Sequence, residues 1–347
     1  MSAPTERAIT TDGWEIPEPA ELARSEAPRI DTEAVESCGV CGSLEFATEA
    51  VGFDYELLTC RNPWRFVRCT ACGQIRLHPR PAITTLPIIY PPTYYAYNYE
   101  EEIGAIARRG KETLDRLKFR GILKALGRPP QSYLDIGCGN GRFLRMMERH
   151  GVPRSSNYGI ELDAEVVEPL AREGYRALGG RVEECTAVPD SSIDLATMFH
   201  VIEHVEDPAG VVARVRDWLS PGGLFAIETP NVDSLDRRLF STGHWGGYHI
   251  PRHWHLFSER TLARLLGNAG LEVVATRYQT GHAFWMCSVH HRLRYARRPK
   301  PELARQFDPF KSLPFLVLFT GFDKLRAALG ARTSSMLMLA RKPASKG

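Results

Sequence analysis

From residue 132 onward the chain alternates short apolar runs with stretches whose apolar positions recur every three or four residues. Runs at 132–136, 158–161, 193–198, 224–228, 271–278 and 335–340 are rich in aliphatic and aromatic side chains and read as strands. A weaker run near 176–179 reads as one more. Helix signals lie between them. The stretch from Arg142 to Met147 opens a helix over 141–150 that Gly151 closes. Asp163 is placed to cap the next, and Pro169 should kink it or shift its start. Asp207 and Pro208 open a helix with Val211, Val212, Val215, Trp218 and Leu219 on one face, and Pro221-Gly222-Gly223 should end it. Ser258 caps a segment carrying Leu262, Leu265 and Leu266, closed by Gly270. This alternation predicts βαβ units, hence an α/β fold: a mostly parallel sheet with helices on both faces.

The remainder of the chain has a different pattern. Residues 1–36 are polar and without period, and they read as a flexible arm. A cysteine-containing module covers 37–81. Residues 82–130 form a connector and a helical segment over the substrate. The connector carries Tyr94, Tyr95, Tyr97 and Tyr99, which suit either a lid over an acceptor or aromatic packing between domains. In the helical part Ile103, Ile106, Leu114, Leu117, Ile122 and Leu126 keep helical spacing until Gly127 and Pro129-Pro130. The α/β domain takes 131–347, with an insertion at about 284–333 that is long for a structureless loop. It is expected to hold helices and part of a substrate pocket.

Length and composition narrow the classes. The 347 residues, 43% of them hydrophobic, suffice for an α/β core and suggest about two domains. A net charge of +3 is too mild to argue for a nucleic-acid partner, so none is expected. No apolar run reaches the roughly 18 residues of a membrane span. The longest, Leu313 to Phe319, is interrupted by Pro314. The first residues lack a basic region followed by an apolar one, so the expectation is a cytoplasmic protein without a secretory signal. In that setting the 8 Cys point to a metal or to reduced thiols.

Three glycines spaced by two, Gly137, Gly139 and Gly141, follow the apolar Tyr133-Leu134-Asp135-Ile136 and precede the helix. Such a loop brings bare backbone close to a ligand at a helix start. A dinucleotide fingerprint would need Gly at 142, where Arg stands, so a nicotinamide enzyme is disfavoured. Glu161 ends the second strand, where a carboxylate can accept both hydroxyls of a ribose.

The octet from Leu134 to Gly141, Gly159-Ile160-Glu161-Leu162-Asp163, Ile193-Asp194-Leu195, the stretch from His200 to Pro208, and Leu219-Ser220-Pro221-Gly222-Gly223 stand in order. Together they resemble the motif series of class I S-adenosylmethionine (SAM)-dependent methyltransferases, whose fold is Rossmann-like. The resemblance covers about 130–280 and implies that SAM is the cofactor. It further implies that Asp135, Gly137, Cys138 and Gly139 line the methionine end, that Glu161 holds the ribose, and that Leu162 packs on the adenine. Phe199 and His200 would lie along the cofactor and face the acceptor. Many relatives carry an Asp near the adenine amine. Here the stretch is Gly179-Gly180-Arg181-Val182-Glu183, so either Glu183 takes that contact or it is made by backbone.

Cys38-x-x-Cys41 and Cys69-x-x-Cys72 are two knuckles, each followed by a Gly that permits the turn. Four thiolates in two close pairs match tetrahedral Zn²⁺, and four Cys leave no open position, so the metal should be structural. Cys60 reads as a buried thiol and Cys138 as a space-filling residue. A zinc-binding ribbon, a Tyr-rich connector and a class I domain resemble a group of bacterial methyltransferases. That group includes deoxysugar C-methyltransferases and enzymes of polysaccharide and antibiotic pathways. The resemblance implies a small-molecule acceptor, a sugar that is nucleotide-linked or belongs to a glycan or natural-product pathway.

Residues 244–258 hold four histidines, two tryptophans and a tyrosine between two predicted elements of the sheet. In the sugar enzymes a Glu-His pair precedes Phe-Ser, and its His is the general base. His253 takes that place, with substrate hydrogen bonding or packing as alternatives, and His249 and His255 are the other candidates. Arg252 replaces the Glu, which suits an acceptor phosphate or carboxylate instead. Glu203-His204 reads as loop hydrogen bonding, or as the metal or base pair of quinone-biosynthesis O-methyltransferases. Two other readings stand beside the small-molecule enzyme: an RNA or protein methyltransferase that uses the ribbon for recognition, and a non-catalytic adaptor.

Overall fold

The computed structural model describes residues 8–11, 14–91, 105–296, 298–309 and 311–344. The connector tyrosines fall outside them. Two compact units emerge.

One unit comprises 104–229, 259–277 and 336–347. Its sheet holds the seven predicted strands: β1 Tyr133–Ile136, β2 Asn157–Glu161, β3 Arg176–Gly179, β4 Ile193–Phe199, β5 Leu219–Pro230, β6 Glu272–Gln279 and β7 Ser335–Arg341. Their spatial order is β3-β2-β1-β4-β5-β7-β6, and the first five run parallel. The order reverses between β1 and β4, and ligands of open α/β sheets bind at the carboxyl ends of strands flanking such a point. Leu134, Ile136, Leu195, Met198, Phe225 and Leu337 are fully buried, as a sheet covered on both faces requires. The helix Ala105–Leu126 inserts Phe119, Ile122 and Leu126 into that core.

Local details depart from the sequence pattern in two places. Pro221-Gly222-Gly223 does not form a loop. The helix stops at Trp218 and β5 begins at Leu219, running through the Gly pair. Gly222 takes φ +77 and the pairing register slips between Ile193 and Leu195, so the turn-prone residues are absorbed as a bulge. Pro169 lies inside the helix Ala164–Arg172 without shifting its start, because Asp163 accepts from the Glu165 amide and fixes the first turn.

The other unit comprises 1–103, 230–258 and 278–335. Antiparallel strands Phe46–Gly52, Trp64–Cys69 and Ile75–Leu77 form its sheet, and His255–Leu256 adds a fourth strand against Ile75 and Arg76. Trp64, Phe66, Ile75 and Leu77 share one core with Trp245, Tyr248, Trp254 and Leu256. The expected boundaries therefore shift. The histidine-rich segment, assigned by sequence to the α/β domain, folds with the cysteine module, because its large aromatics complete that small core. The helix Ala105–Leu126, assigned to the connector, packs in the sheet unit. The insertion does carry helices, at His282–Tyr295 and Leu313–Ala328.

Candidate cofactor loop, cysteine cluster and histidine segment

Gly137, Gly139 and Gly141 all have positive φ, at +79°, +48° and +79°. A Cβ on Gly137 would lie 2.4 Å from Val201 Cγ2, and one on Gly141 2.5 Å from Leu170 Cδ2. Packing as well as conformation thus demands glycine at both. A Cβ on Gly139 would meet nothing within 4 Å among the described residues, so they leave its backbone open. The Gly137 and Cys138 amides donate to the Ile160 carbonyl at 2.8 and 3.1 Å, tying the loop to the end of β2. Glu161 Oε2 accepts from the Gly139 amide at 2.9 Å and Oε1 from the Leu162 amide at 2.8 Å. Burial raises the Glu161 carboxyl above its usual range, and these amides oppose the rise.

Asp135 is 2% exposed. Its Oδ1 accepts from Thr197 Oγ1 at 2.7 Å, and the Tyr133 hydroxyl lies 2.5 Å from that same Oγ1. Among the described residues its Oδ2 has no hydrogen-bond partner. Burial pushes the Asp135 carboxyl up to about 7, with the nearby Glu161 charge adding to the rise and the Thr197 bond opposing it. An orphaned buried carboxylate oxygen beneath an open glycine loop calls for a donor, and a cationic amine satisfies it best. The residues present therefore fit the amino-acid end of SAM. Cys138 is buried, and burial with the charges of Asp135 and Glu161 pushes its thiol far up, so it is no nucleophile.

A second polar group gathers at the ends of β4 and β5. His200, at φ +56°, is a non-glycine residue in the left-handed region. Its Nδ1 lies 3.2 Å from Glu203 Oε1 and its Nε2 3.5 Å from Glu228 Oε1. Partial desolvation would lower the His200 pKa, but the two carboxylates outweigh it and lift it to about 9. Thr229 Oγ1 donates to Glu203 at 3.0 Å. Lys118 donates to Glu228 at 2.5 Å and stands 4.5 Å from the Phe199 ring centroid. Arg142, immediately after the glycine loop, pairs with Asp115 at 2.5 Å. Sequence reasoning missed Asp115, Lys118 and Glu228. A charge ending the apolar run 224–228 was the one available signal. Leu162 is exposed beside Glu161. Glu183 is engaged by Arg181 at 3.1 Å and by the Glu206 amide at 2.8 Å.

In the other unit the four predicted cysteines converge. Cys38 and Cys72 Sγ are 3.6 Å apart, as are Cys41 and Cys69 Sγ, and all four lie within 4.8 Å of one another. Zn–S bonds of about 2.3 Å in a tetrahedron put sulfurs about 3.8 Å apart, so the set fits zinc. Gly42 and Gly73 close the knuckles at positive φ, donating to the carbonyls of Cys38 and Cys69. Arg76, 1% exposed, adds a buried positive charge near these sulfurs.

The histidines sit on this same small core. His253 is buried, and its Nδ1 donates to the Gly247 carbonyl at 2.8 Å. His249 Nδ1 is 2.8 Å from Glu56 Oε2, and the rings of His249 and His253 are 4.9 Å apart. His255 lies in the strand paired with Arg76. Arg252 is fully buried. Its Nη1 and Nη2 donate to the two oxygens of Asp54 at 3.1 and 3.0 Å, and Nε donates to the Ile89 carbonyl. It is a structural clamp, so the expected hold on an acceptor phosphate does not apply to it.

Residues 109–276, which span the glycine loop, Glu161 and the His200 group, match the family model described as a methyltransferase domain. That segment is similar to a methyltransferase domain and lies on a Rossmann-like α/β sheet. A probable S-adenosylmethionine-dependent methyltransferase of Mycolicibacterium smegmatis is 38% identical over 157 residues, covering 41% of this chain and 52% of that one. An uncharacterized 37.1 kDa protein from a Streptomyces fradiae transposon is 37% identical over 119 residues, 33% of this chain and 34% of its own length. The ubiquinone biosynthesis O-methyltransferase of Neisseria meningitidis serogroup C is 27% identical over 163 residues, 43% and 67% of the two chains. The chain thus spans about a third to two thirds of the length of these relatives. Among the described residues no helix is long and apolar enough to cross a membrane.

Proposed function

We propose that the protein transfers a methyl group from SAM to an oxygen or carbon of a small-molecule acceptor, a sugar in free, nucleotide-linked or glycan-bound form. The observation that carries the SAM reading is Asp135 Oδ2, buried and without a hydrogen-bond partner among the described residues, on the strand that leads into the glycine loop. Asp135 and the amides near Gly137, Cys138 and Gly139 would hold the amino-acid end. Glu161 would exchange its loop amides for the ribose hydroxyls, Leu162 would pack on the adenine, and Phe199 and His200 would border the acceptor. Glu183 keeps the adenine contact only by giving up Arg181 or the Glu206 amide, so we favour a backbone contact there.

SAM supplies an electrophilic methyl group on a sulfonium. The protein must align the acceptor and take its proton. His253 is our base: the Gly247 carbonyl accepts from its Nδ1 and orients the ring. Glu56 would orient His249 in the same way, and His255 serves packing within its strand. His200 is a poor base, since two carboxylates keep it protonated. Zinc on Cys38, Cys41, Cys69 and Cys72 would be structural. The sugar assignment rests on the resemblance of the ribbon-plus-domain arrangement. The quinone relative supports a small hydroxylated acceptor more broadly.

Titration calorimetry with SAM tests the donor. Wild type should bind, and Asp135→Asn and Glu161→Gln should each weaken binding by at least about tenfold, the scale of a lost charge-assisted bond. Absence of binding by wild type would end the reading. Transfer of labelled methyl to a panel of nucleotide sugars and phenolic acceptors tests the acceptor. His253→Gln should lose kcat while keeping SAM affinity.

A further inference from the structure

The net charge of +3 conceals an uneven distribution. Residues 284–333 contain ten Lys and Arg against Glu302, Asp308 and Asp323, a local net charge of +7. Arg298, Lys300, Arg305, Lys311 and Lys324 in this insertion are exposed. So is an apolar face of its long helix, Leu313–Ala328.

That helix is anchored by one side only. Phe319 stacks on Trp285 with 5.5 Å between ring centroids, and buried Asp323 accepts from the Gly281 amide at 2.9 Å and from Trp285 Nε1 at 3.2 Å. The opposite side presents Leu313, Val317, Leu318, Phe322, Leu325 and Leu329, a spacing that keeps them in one stripe. Val317 is 59% exposed, Leu318 57%, Leu325 61% and Leu329 77%. Lys324 is the only exposed charged residue among the described residues of the helix. Such a stripe is far from the scattered single apolar residues of an ordinary surface.

We propose that the stripe on Leu313–Ala328 docks the protein, peripherally, onto an anionic lipid bilayer surface. A helix lying in the interface needs an apolar face for the acyl boundary and cations for the headgroups, and this segment has both. A second copy fits less well, because it would bring two cationic surfaces together. A protein partner fits less well too, since the stripe is aliphatic apart from Phe322 and lacks the Trp and Tyr anchors common in such interfaces. Nucleic acid would use the cations and leave the aliphatic stripe in water.

Vesicle flotation with the full chain tests the proposal. The probes are vesicles of phosphatidylcholine alone and of phosphatidylcholine with phosphatidylglycerol, at low and high salt. The chain should float with the anionic vesicles at low salt, less so at high salt, and hardly with the neutral ones. Leu318→Glu with Leu325→Glu should cut flotation by at least about tenfold without lowering the melting temperature, since both side chains face outward. Arg298→Glu with Lys300→Glu, which leaves the helix untouched, should remove the preference for phosphatidylglycerol. The proposal is overturned if wild type does not float, or if flotation survives the two Leu substitutions. It is also overturned if those substitutions instead dissolve a dimer seen by sedimentation equilibrium, or if only RNA is retained.

Discussion

Lys118 Nζ lies 2.5 Å from Glu228 Oε2, joining the helix Ala105–Leu126 to the carboxyl-terminal part of β5. Both side chains are largely buried, at 13% and 5% exposure, and the bond holds the helix beside Phe199 and His200. Such a pair is hard to break one side at a time, because the surviving charge stays desolvated. Lys118→Met should lower the unfolding free energy by about 3 kcal/mol, and adding Glu228→Gln should restore a large part of it. Urea denaturation of the two variants checks this. Equal losses in both would show that Glu228 is not left as an uncompensated buried charge.

Asp135 ties stability to pH. Its folded pKa of about 7 lies above the ordinary carboxyl value, so the ligand-free native state holds this proton more tightly than the unfolded chain. The stabilisation is complete below the unfolded pKa and is lost as pH rises to about 7. Asp135→Asn should therefore raise the melting temperature of the ligand-free protein at pH 8 while weakening SAM. A melting temperature unchanged by the substitution at that pH would refute the linkage.

SAM affinity of the wild type should follow the same titration. The ionised Asp135 is the form that receives an ammonium group, so binding should strengthen as pH rises through about 7. Calorimetry across that range, compared with Asp135→Asn, isolates the dependence.

His200 has the opposite role to a base. With its pKa lifted to about 9, its imidazolium contributes stability below the unfolded value, and that contribution disappears as pH rises through about 9. The side chain is 41% exposed, so water screens part of the effect and the change should be modest. Nuclear magnetic resonance should find His200 charged at pH 7.5 in the wild type and titrating lower in Glu228→Gln.

The cysteine cluster should bind one zinc ion per chain, measured by elemental analysis after dialysis. Cys38→Ser or Cys69→Ser should lower that content and loosen the sheet built on Trp64–Cys69. Retention of full zinc by both variants would place the metal elsewhere.

The seven strands of the sheet were legible because each is a short apolar run between turn or cap residues. Asp163, Asp207 and Pro208 mark their helices by chemistry that acts within a few residues. The glycine loop was legible for the same reason, and so were the two knuckles with Gly42 and Gly73. Pro221-Gly222-Gly223 misled because turn propensity is local, and β5 had neighbours on both sides to pair with. Arg252 misled because a guanidinium beside histidines reads as a ligand site until Asp54, far away in sequence, is found against it.

Sequence alone determined the elements, the glycine loop from Asp135 to Gly141 and the four clustered cysteines, because periodicity and short-range spacing carry that information. Tertiary structure decided the rest. It put residues 230–258 on the core of the cysteine module and set Lys118 against Glu228 and Glu56 against His249. It also left one face of Leu313–Ala328 outward. These depend on which distant segments complete a buried core or neutralise a desolvated charge, and no local pattern encodes that choice.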